Sequence, residues 1–351
     1  MLPRRAALLA MSGSMAGASA AKAQSPDHFH RIQWAAFRNR FMAPEGRIID
    51  TGNDHVSHTE GQGWAMLAAV RADDRASFEK LHRWTNRTLR RQGDELFAWR
   101  FRPGAARPVD DPNNATDGDL FIAWALLEAG RRWGRADCTT QGTAMARDIL
   151  RLLCAQAGPF TVLLPGSQGF QRTDHTVVNP SYYAFPAIRA LAMALPDPAW
   201  LRLAADGVAL LRASRFGRWG LPPDWLTIRH ADGALALPGD WAPRFSYDAV
   251  RVPLYLAWVG LADEPALIGP ADFWSDRQHR HMPAWTDLTN DGISPYAASP
   301  GITEVARLTR ALRERSRWLA DRPVGALDMP NYYSAALSLL AGLAAWDSGM
   351  A

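Results

Sequence analysis

Eleven stretches in which apolar residues recur with the period of a helix face follow one another along the chain, and no other feature constrains the fold as tightly. They cover residues 27–42, 60–72, 74–92, 116–134, 140–156, 180–195, 198–215, 247–262, 264–274, 302–320 and 331–347. Alternating strand patterns are confined to Phe97–Phe101 and Phe160–Leu164. The class is therefore all-α, with minor strands. Each helix has an apolar face to bury, and eleven or twelve of them in one chain can do so by packing antiparallel into a closed toroid. Periodicity alone leaves a solenoid open, and the absence of a visible repeat of fixed period weakens it.

The connections are uneven. Those at 43–59, 94–114, 165–179, 216–246 and 275–301 are long and rich in Gly, Pro, Asp and Trp. Long connections in a compact domain are usually functional or disordered, and their aromatic content argues against disorder. They are expected to wall a cleft. No Pro- or Ser-rich linker divides the chain, so residues 24–351 read as a single domain.

Residues 1–23 read as an export signal: Arg4 and Arg5, an apolar and small-residue run from Ala6 to Ala20, then Ala21-Lys22-Ala23 as the cleavage site. The expected mature protein starts at Gln24 and is periplasmic or secreted. No later apolar run has the length that spans a bilayer, so membrane insertion is not expected. The formal charge of +4 falls to +1 once Arg4, Arg5 and Lys22 are gone. The remaining basic residues are nearly all arginines and are dispersed, which speaks against a nucleic-acid or anionic-membrane partner. Cys138 and Cys154 flank one expected helix, roughly 24 Å apart. A disulfide needs Cα atoms within about 7 Å, so both are expected as free, buried thiols.

One stretch stands out chemically. Ala115 to Trp133 places Asp117 and Asp119 in the first turn of a strongly apolar helix, where the helix dipole favours negative charge and Asn113, Asn114 and Thr116 offer caps. Residues two apart cannot share a helix face, so at most one of the two carboxylates points into a cleft. Gly118 between them leaves room for a close neighbour. The literal string resembles the signature segment of glycoside hydrolase family 8. Ala115, Thr116, Asp117, Gly118, Asp119, Ile122, Ala123, Ala125, Leu126, Leu127, Ala129 and Trp133 meet every defined position of that pattern.

Two further segments carry the same resemblance in the same order. Taken alone, Thr59-Glu60-Gly61-Gln62 fits a capping box, although Gly61 and Gly63 are poor helix formers placed where that motif wants good ones. It is similar to the family's Ser-Glu-Gly-Gln stretch, which implies that Glu60 is the general acid. Such an acid needs a raised pKa, whereas a helix N-terminus lowers one, so burial near Trp64 or the charge of Asp117 has to win. Tyr247, Asp248, Ala249, Arg251 and Pro253 match the family's Tyr-Asp-Ala-x-Arg-x-Pro, with Ser246 as a candidate N-cap. The resemblance implies that Asp248 is the general base and that Arg251 keeps it ionised and oriented. Asp117 is implied to bind and distort the sugar in the central subsite.

Family 8 membership implies an (α/α)6 barrel with its cleft where the inner helices begin, and an inverting mechanism with carboxyls roughly 6.5–9.5 Å apart. The implied activity is that of an endo-β-1,4-glucanase acting on cellulose chains. A glucan presents flat apolar faces and polar edges, which calls for stacked aromatics and a few polar groups. Among fifteen tryptophans, Trp99 and Trp225 lie in the long connections and are assigned to the substrate with Tyr182, Tyr247, Arg251, Asp119 and Tyr333. Tyr182 lies in Asn179-Pro180-Ser181-Tyr182, which is similar to a family segment and implies a place near the attacking water. No cofactor is expected. No metal is expected either, because His55 and His58 are three apart rather than four and no cysteine is near. The implied partners are β-1,4-glucan chains and, by likeness to family members that accompany bacterial cellulose synthesis, the cellulose synthase complex. Xylanase, lichenase and chitosanase activities remain open on the same machinery, as does a noncatalytic glucan-binding subunit.

Overall fold

A computed structural model describes residues 26–318 and 331–350. The segment 1–23, read as an export signal, lies outside the described residues. Among the described residues there are eleven α-helices: α1 (Pro26–Phe41), α2 (Thr59–Arg71), α3 (Arg75–Leu89), α4 (Thr116–Trp133), α5 (Ala136–Leu153), α6 (Phe185–Ala194), α7 (Pro198–Ala213), α8 (Arg251–Trp258), α9 (Pro265–Ser275), α10 (Pro300–Glu314) and α11 (Tyr332–Asp347). Each lies within one of the stretches singled out by periodicity, give or take a few residues at the ends.

The helices form two layers. α2, α4, α6, α8 and α11 are the inner ones, each packed on the next, and α11 returns to α2 to close the ring. α2, α4, α8 and α11 are buried along nearly their whole length. The outer helices α1, α3, α5, α7, α9 and α10 lie against this ring, and the buried residues of α3, α5 and α10 fall on one face. Burying each large apolar side chain of the inner ring contributes about 1.5–3 kcal/mol, which is why these helices hold despite several lacking a side-chain cap. α4 is one of them: Ala115 occupies its N-cap, and it ends at Gly134, whose φ of 66° closes the last turn with a bond from its N–H to the carbonyl of Gly130.

The tightest crossing in the ring is that of α2 on α4. A Cβ on Gly118 would overlap Thr59 Oγ1, and one on Gly63 would lie 2.7 Å from Phe121 Cβ. No other residue fits at this contact, which accounts for glycines in the first turns of two otherwise strong helices. The crossing brings Glu60 and Asp117, each the second residue of its helix, to the same end of the ring.

Several boundaries differ from the periodic reading, each for a local reason. The segment expected as helix to 156 leaves α5 at Leu153, and Cys154–Ala157 pairs antiparallel with Phe160–Leu163 across Gly158 and Pro159. The segment 180–195 opens with a 3-10 turn, Pro180–Tyr182, capped by the Asn179 side chain on the Ser181 N–H, before α6 begins. The expected strand 97–101 is reduced to Arg100–Phe101, paired with Ser57–His58. Short ribbons that periodicity could not show tie the long connections together: His175–Val178, Leu226–Arg229 and Leu235–Ala236 form a three-stranded sheet, and Arg244–Phe245 pairs with Thr286–Asp287. Cys138 and Cys154 are free thiols, the first buried and the second only half-buried, because it begins the strand rather than ending the helix. Among the described residues, no helix is long and apolar enough to cross a membrane.

Candidate active site

The inner helices all begin at one end of the ring, and that is where the carboxylates gather. Glu60 opens α2, Asp117 opens α4, Tyr182 ends the turn before α6, Asp248 lies on the turn before α8, Arg251 is the first residue of α8, and Tyr333 is the second of α11. Five helix N-termini therefore face one region, and their dipoles partly offset the negative charge collected there.

At the centre is Arg251, 2% exposed. Its Nη1 is in direct contact with Glu60 and stands 3.4 Å from Asp117 Oδ2, while its Nη2 donates to Asp248 Oδ1 at 2.7 Å and to Ser181 Oγ at 2.9 Å. One guanidinium thus serves three carboxyls. It lies over the Trp64 and Tyr182 rings, at 5.7 and 5.9 Å. If all three carboxyls were ionised, two negative charges would remain uncompensated in a largely desolvated place. Such a group favours holding a proton on one member while the others stay charged.

Burial and the neighbouring groups pull on these carboxyls in opposite directions. Burial pushes Asp117 up to about 6, against the Gly118 N–H that it accepts at 2.8 Å, the nearby His58 and the Tyr182 hydroxyl, all of which favour its ionised form. Asp248 is also pushed well above the usual carboxylate range, first by desolvation and then by the like charges of Asp224 and Asp117. The Asn179 amide and the Trp225 indole pull the other way. Glu60 has the Arg251 guanidinium on one side and His58 Nδ1 at 3.9 Å. Arg251 lies closest to Glu60 and Asp248, and Asp117, at 3.4 Å, is the carboxyl it serves least.

The capping box at Thr59 does not form. His58 is the N-cap of α2 and accepts the Gly61 N–H on its Nδ1 at 3.1 Å. Gln62 turns away to bond the Ile48 N–H, the Gly46 carbonyl and Thr85. Gly61 makes room for the Tyr332 hydroxyl, which would lie 2.6 Å from a Cβ there. His58 is also 3.4 Å from Asp50. Among the described residues no group of His, Cys, Asp and Glu is arranged to hold a metal ion.

Asp119 is a correction. It is fully buried, and its oxygens accept the Phe97 N–H at 3.1 Å and the Asn114 amide at 2.9 Å. Burial pushes this carboxyl up to about 8. It ties the 94–114 connection to α4 and does not reach a substrate. Asn114, expected as a cap, serves the same tie, and Thr116 donates to the Leu164 carbonyl instead of capping. Nor does Ser246 cap α8; its N–H and hydroxyl both bond Asp224.

The aromatic residues line the region on two sides. Trp225 lies parallel to Phe170 and Trp241, at centroid distances of 5.9 and 4.9 Å, and gives its indole to Asp248, so it supports that carboxyl as well as shaping the wall. Trp99 bonds Asp111 through its indole at 2.8 Å, and its backbone joins Thr59 to Asn113, bracketing the starts of α2 and α4. On the other side, the hydroxyl of Tyr247 is 3.1 Å from that of Tyr296, which Trp285 also reaches at 2.9 Å, and Tyr333 donates to the Tyr247 carbonyl. Tyr247 is 44% exposed. A groove of about 610 Å³ continues from here, lined by Asp50, Asn53, Tyr247, Tyr296, Asn331 and Tyr333.

Two residues of the site escaped the sequence reading. Tyr296 follows no periodicity, and Asp224, between Pro223 and Trp225, gives no signal except its place in an aromatic connection.

Comparison with known proteins fits this geometry. The family model "Glycosyl hydrolases family 8" matches residues 2–347. The chain is 44% identical over 312 residues to a probable endoglucanase of Novacetimonas hansenii, covering 89% of this chain and 90% of that one. It is 43% identical over 285 residues to an endoglucanase of Cellulomonas uda, covering 81% and 79%. Among solved structures, the endo-beta-1,4-glucanase CMCax from Acetobacter xylinum superposes with a TM-score of 0.84 at 42% identity, covering 93% of this chain and 100% of that chain.

Proposed function

The chain belongs to glycosyl hydrolases family 8, folds as an (α/α)6 toroid and is an endoglucanase, and from that premise we propose how its own residues cut a β-1,4-glucan. Glu60 is the general acid and Asp248 the general base of a single displacement. Asp248 removes a proton from a water whose oxygen attacks the anomeric carbon. Glu60 gives its proton to the glycosidic oxygen as the bond to the leaving chain breaks on the opposite face. Asp117, held by Gly118 and Tyr182, accepts a sugar hydroxyl at the central subsite and favours the distorted ring. Trp99, Tyr182, Tyr247 and Tyr333 give the glucan its apolar contacts.

The observation that carries this reading is the sharing of one buried arginine by three carboxyls. A pure binding groove has no use for acids forced to compete for a single counter-charge, whereas an acid and a base must differ in protonation at one pH. Arg251 holds Asp248 from one side, and Asn179 and Trp225 from another, which orients the base and favours its charged form against the burial and like charges that raise its pKa.

Asp248→Ala is expected to lower turnover on cellohexaose by roughly 10³-fold. Azide, a small anion that needs no base, should restore product as an α-glycosyl azide in that variant. Wild-type turnover without azide would remove Asp248 from the role of base. The export signal read in residues 1–23 supports a periplasmic or secreted enzyme, where a nascent cellulose chain and its synthase are reachable. Cell fractionation and co-purification with the synthase test this part of the reading.

A further inference from the structure

We propose that Asp224 is the positioning residue of the base: it fixes the turn that carries Asp248 and sets the strength of that carboxyl from beneath. This rests on the reading of Asp248 as general base.

Asp224 stands just ahead of the strand Leu226–Arg229 and is 8% exposed. Its Oδ1 accepts the N–H groups of Ser246 at 3.0 Å and Ala249 at 2.8 Å, and its Oδ2 accepts the Ser246 hydroxyl. Burial raises the Asp224 carboxyl on balance, while its bonds to Ser246 and Ala249 and the N–H of Asp248 favour its ionised form. At its other end, the Asp224 N–H donates to the Arg244 carbonyl at 2.7 Å, so the residue is anchored on both sides. The turn 246–250 also closes through Val250 on Ser246, Arg251 on Asp248 and Val252 on Ala249, with Tyr333 on the Tyr247 carbonyl, but the N-cap position of α8, Val250, has no side-chain cap. The open N–H groups of that turn are met by a residue more than twenty positions away.

A serine or asparagine within the turn could satisfy those N–H groups without charge. A buried carboxylate costs more than a neutral cap, and what it adds is a negative charge beside Asp248. The other groups facing Asp248 are Arg251 from α8, Asp117 from α4, Asn179 and Tyr182 from the turn before α6, Trp225, and Tyr333 from α11. Arg251, Asn179 and Trp225 favour the ionised base and would by themselves make it weak. Asp224 and Asp117 oppose them, and Asp224 is the stronger of the two like charges. A base that must take a proton from water gains from that opposition.

The test is Asp224→Asn in the full chain, with kcat and KM on cellohexaose measured across pH and thermal unfolding measured alongside. The amide keeps an oxygen for the Ser246 and Ala249 N–H groups and offers a donor to the Ser246 hydroxyl, so the turn survives while the charge is lost. The expected result is a kcat about tenfold lower with KM within about threefold, and an acidic limb of the pH profile moved about one unit lower, because Asp248 becomes a weaker base. A kcat loss with the acidic limb unmoved would reduce Asp224 to a structural tie and overturn the proposal, as would a wild-type profile. Ser246→Ala removes one tie and keeps the charge, and is expected to lower kcat about threefold at constant KM with the limb in place. Should Asp224→Asn fail to fold, a wild-type kcat in Ser246→Ala overturns the proposal. Asp248→Ala run in parallel separates the two readings: activity there removes the base itself, while an inactive Asp248→Ala beside a wild-type Asp224→Asn removes only the role of Asp224.

Discussion

Replacing Glu60 with glutamine is expected to lower hydrolysis of cellohexaose by roughly 10³- to 10⁴-fold while leaving oligosaccharide binding within a few fold. Glutamine has the shape of the protonated acid and still fits between His58 and Arg251, but it has no proton to give to the glycosidic oxygen. Arg251 is then left to Asp117 and Asp248, its partners at 3.4 and 2.7 Å, so the fold and the base keep their counter-charge. The separation of effects is the point. A groove that merely binds glucan would lose nothing in either measurement, and a collapsed site would lose both. Isothermal titration with cellohexaose beside steady-state kinetics distinguishes these outcomes, and unchanged turnover in this variant would remove Glu60 from the reaction.

The second large effect is expected at Arg251. Arg251→Met keeps a side chain of similar length but leaves three carboxyls around an apolar thioether. Removing one partner of a buried ion pair costs about 3–5 kcal/mol, which for a chain of this size lowers Tm by roughly 4–7 °C. The loss should depend on pH in a definite direction. Asp117 already sits at about 6, above its unfolded value near 4, and Asp248 is shifted the same way. Without the guanidinium both rise further, so the folded variant binds more protons than the unfolded chain over that window. Its stability therefore falls as pH rises through the window and is best retained near pH 5. Turnover should fall by about 10³-fold or more, because Asp248 now keeps a proton that a base must lack. Thermal unfolding at pH 5 and pH 8 checks the first part, and a variant as stable at pH 8 as the parent would contradict the shared-counter-ion account.

Much of this was legible in the chain because its signals are local. Apolar period fixed the existence of the helices to within a few residues, since an inner helix such as α4 must be apolar nearly all round and an outer one such as α3 on one face only. Glu60, Asp117 and Asp248 each sit in a short segment of defined pattern, and all three come together at Arg251. What the sequence concealed depends on contacts between distant segments. Asp119 shares the first turn of α4 with Asp117, and only the approach of Phe97 and Asn114 shows that it faces inward. The capping-box pattern at Thr59 was misleading because Gln62 finds better partners across the fold, at Ile48 and Thr85, than at its own helix end. Asp224 carries no pattern at all; it meets the turn before α8 only because the 216–246 connection folds back under it.

A single displacement by an acid and a base on opposite faces of the sugar leaves its record in the stereochemistry of the first product. Cellohexaose is incubated with the purified protein and the newly formed reducing ends are followed by proton NMR before mutarotation equalises the anomers. Inversion predicts that α-anomeric cello-oligosaccharides appear first and that the β-anomer grows in only afterwards. Initial release of the β-anomer would mean a covalent glycosyl-enzyme and would contradict Glu60 as acid and Asp248 as base of one displacement.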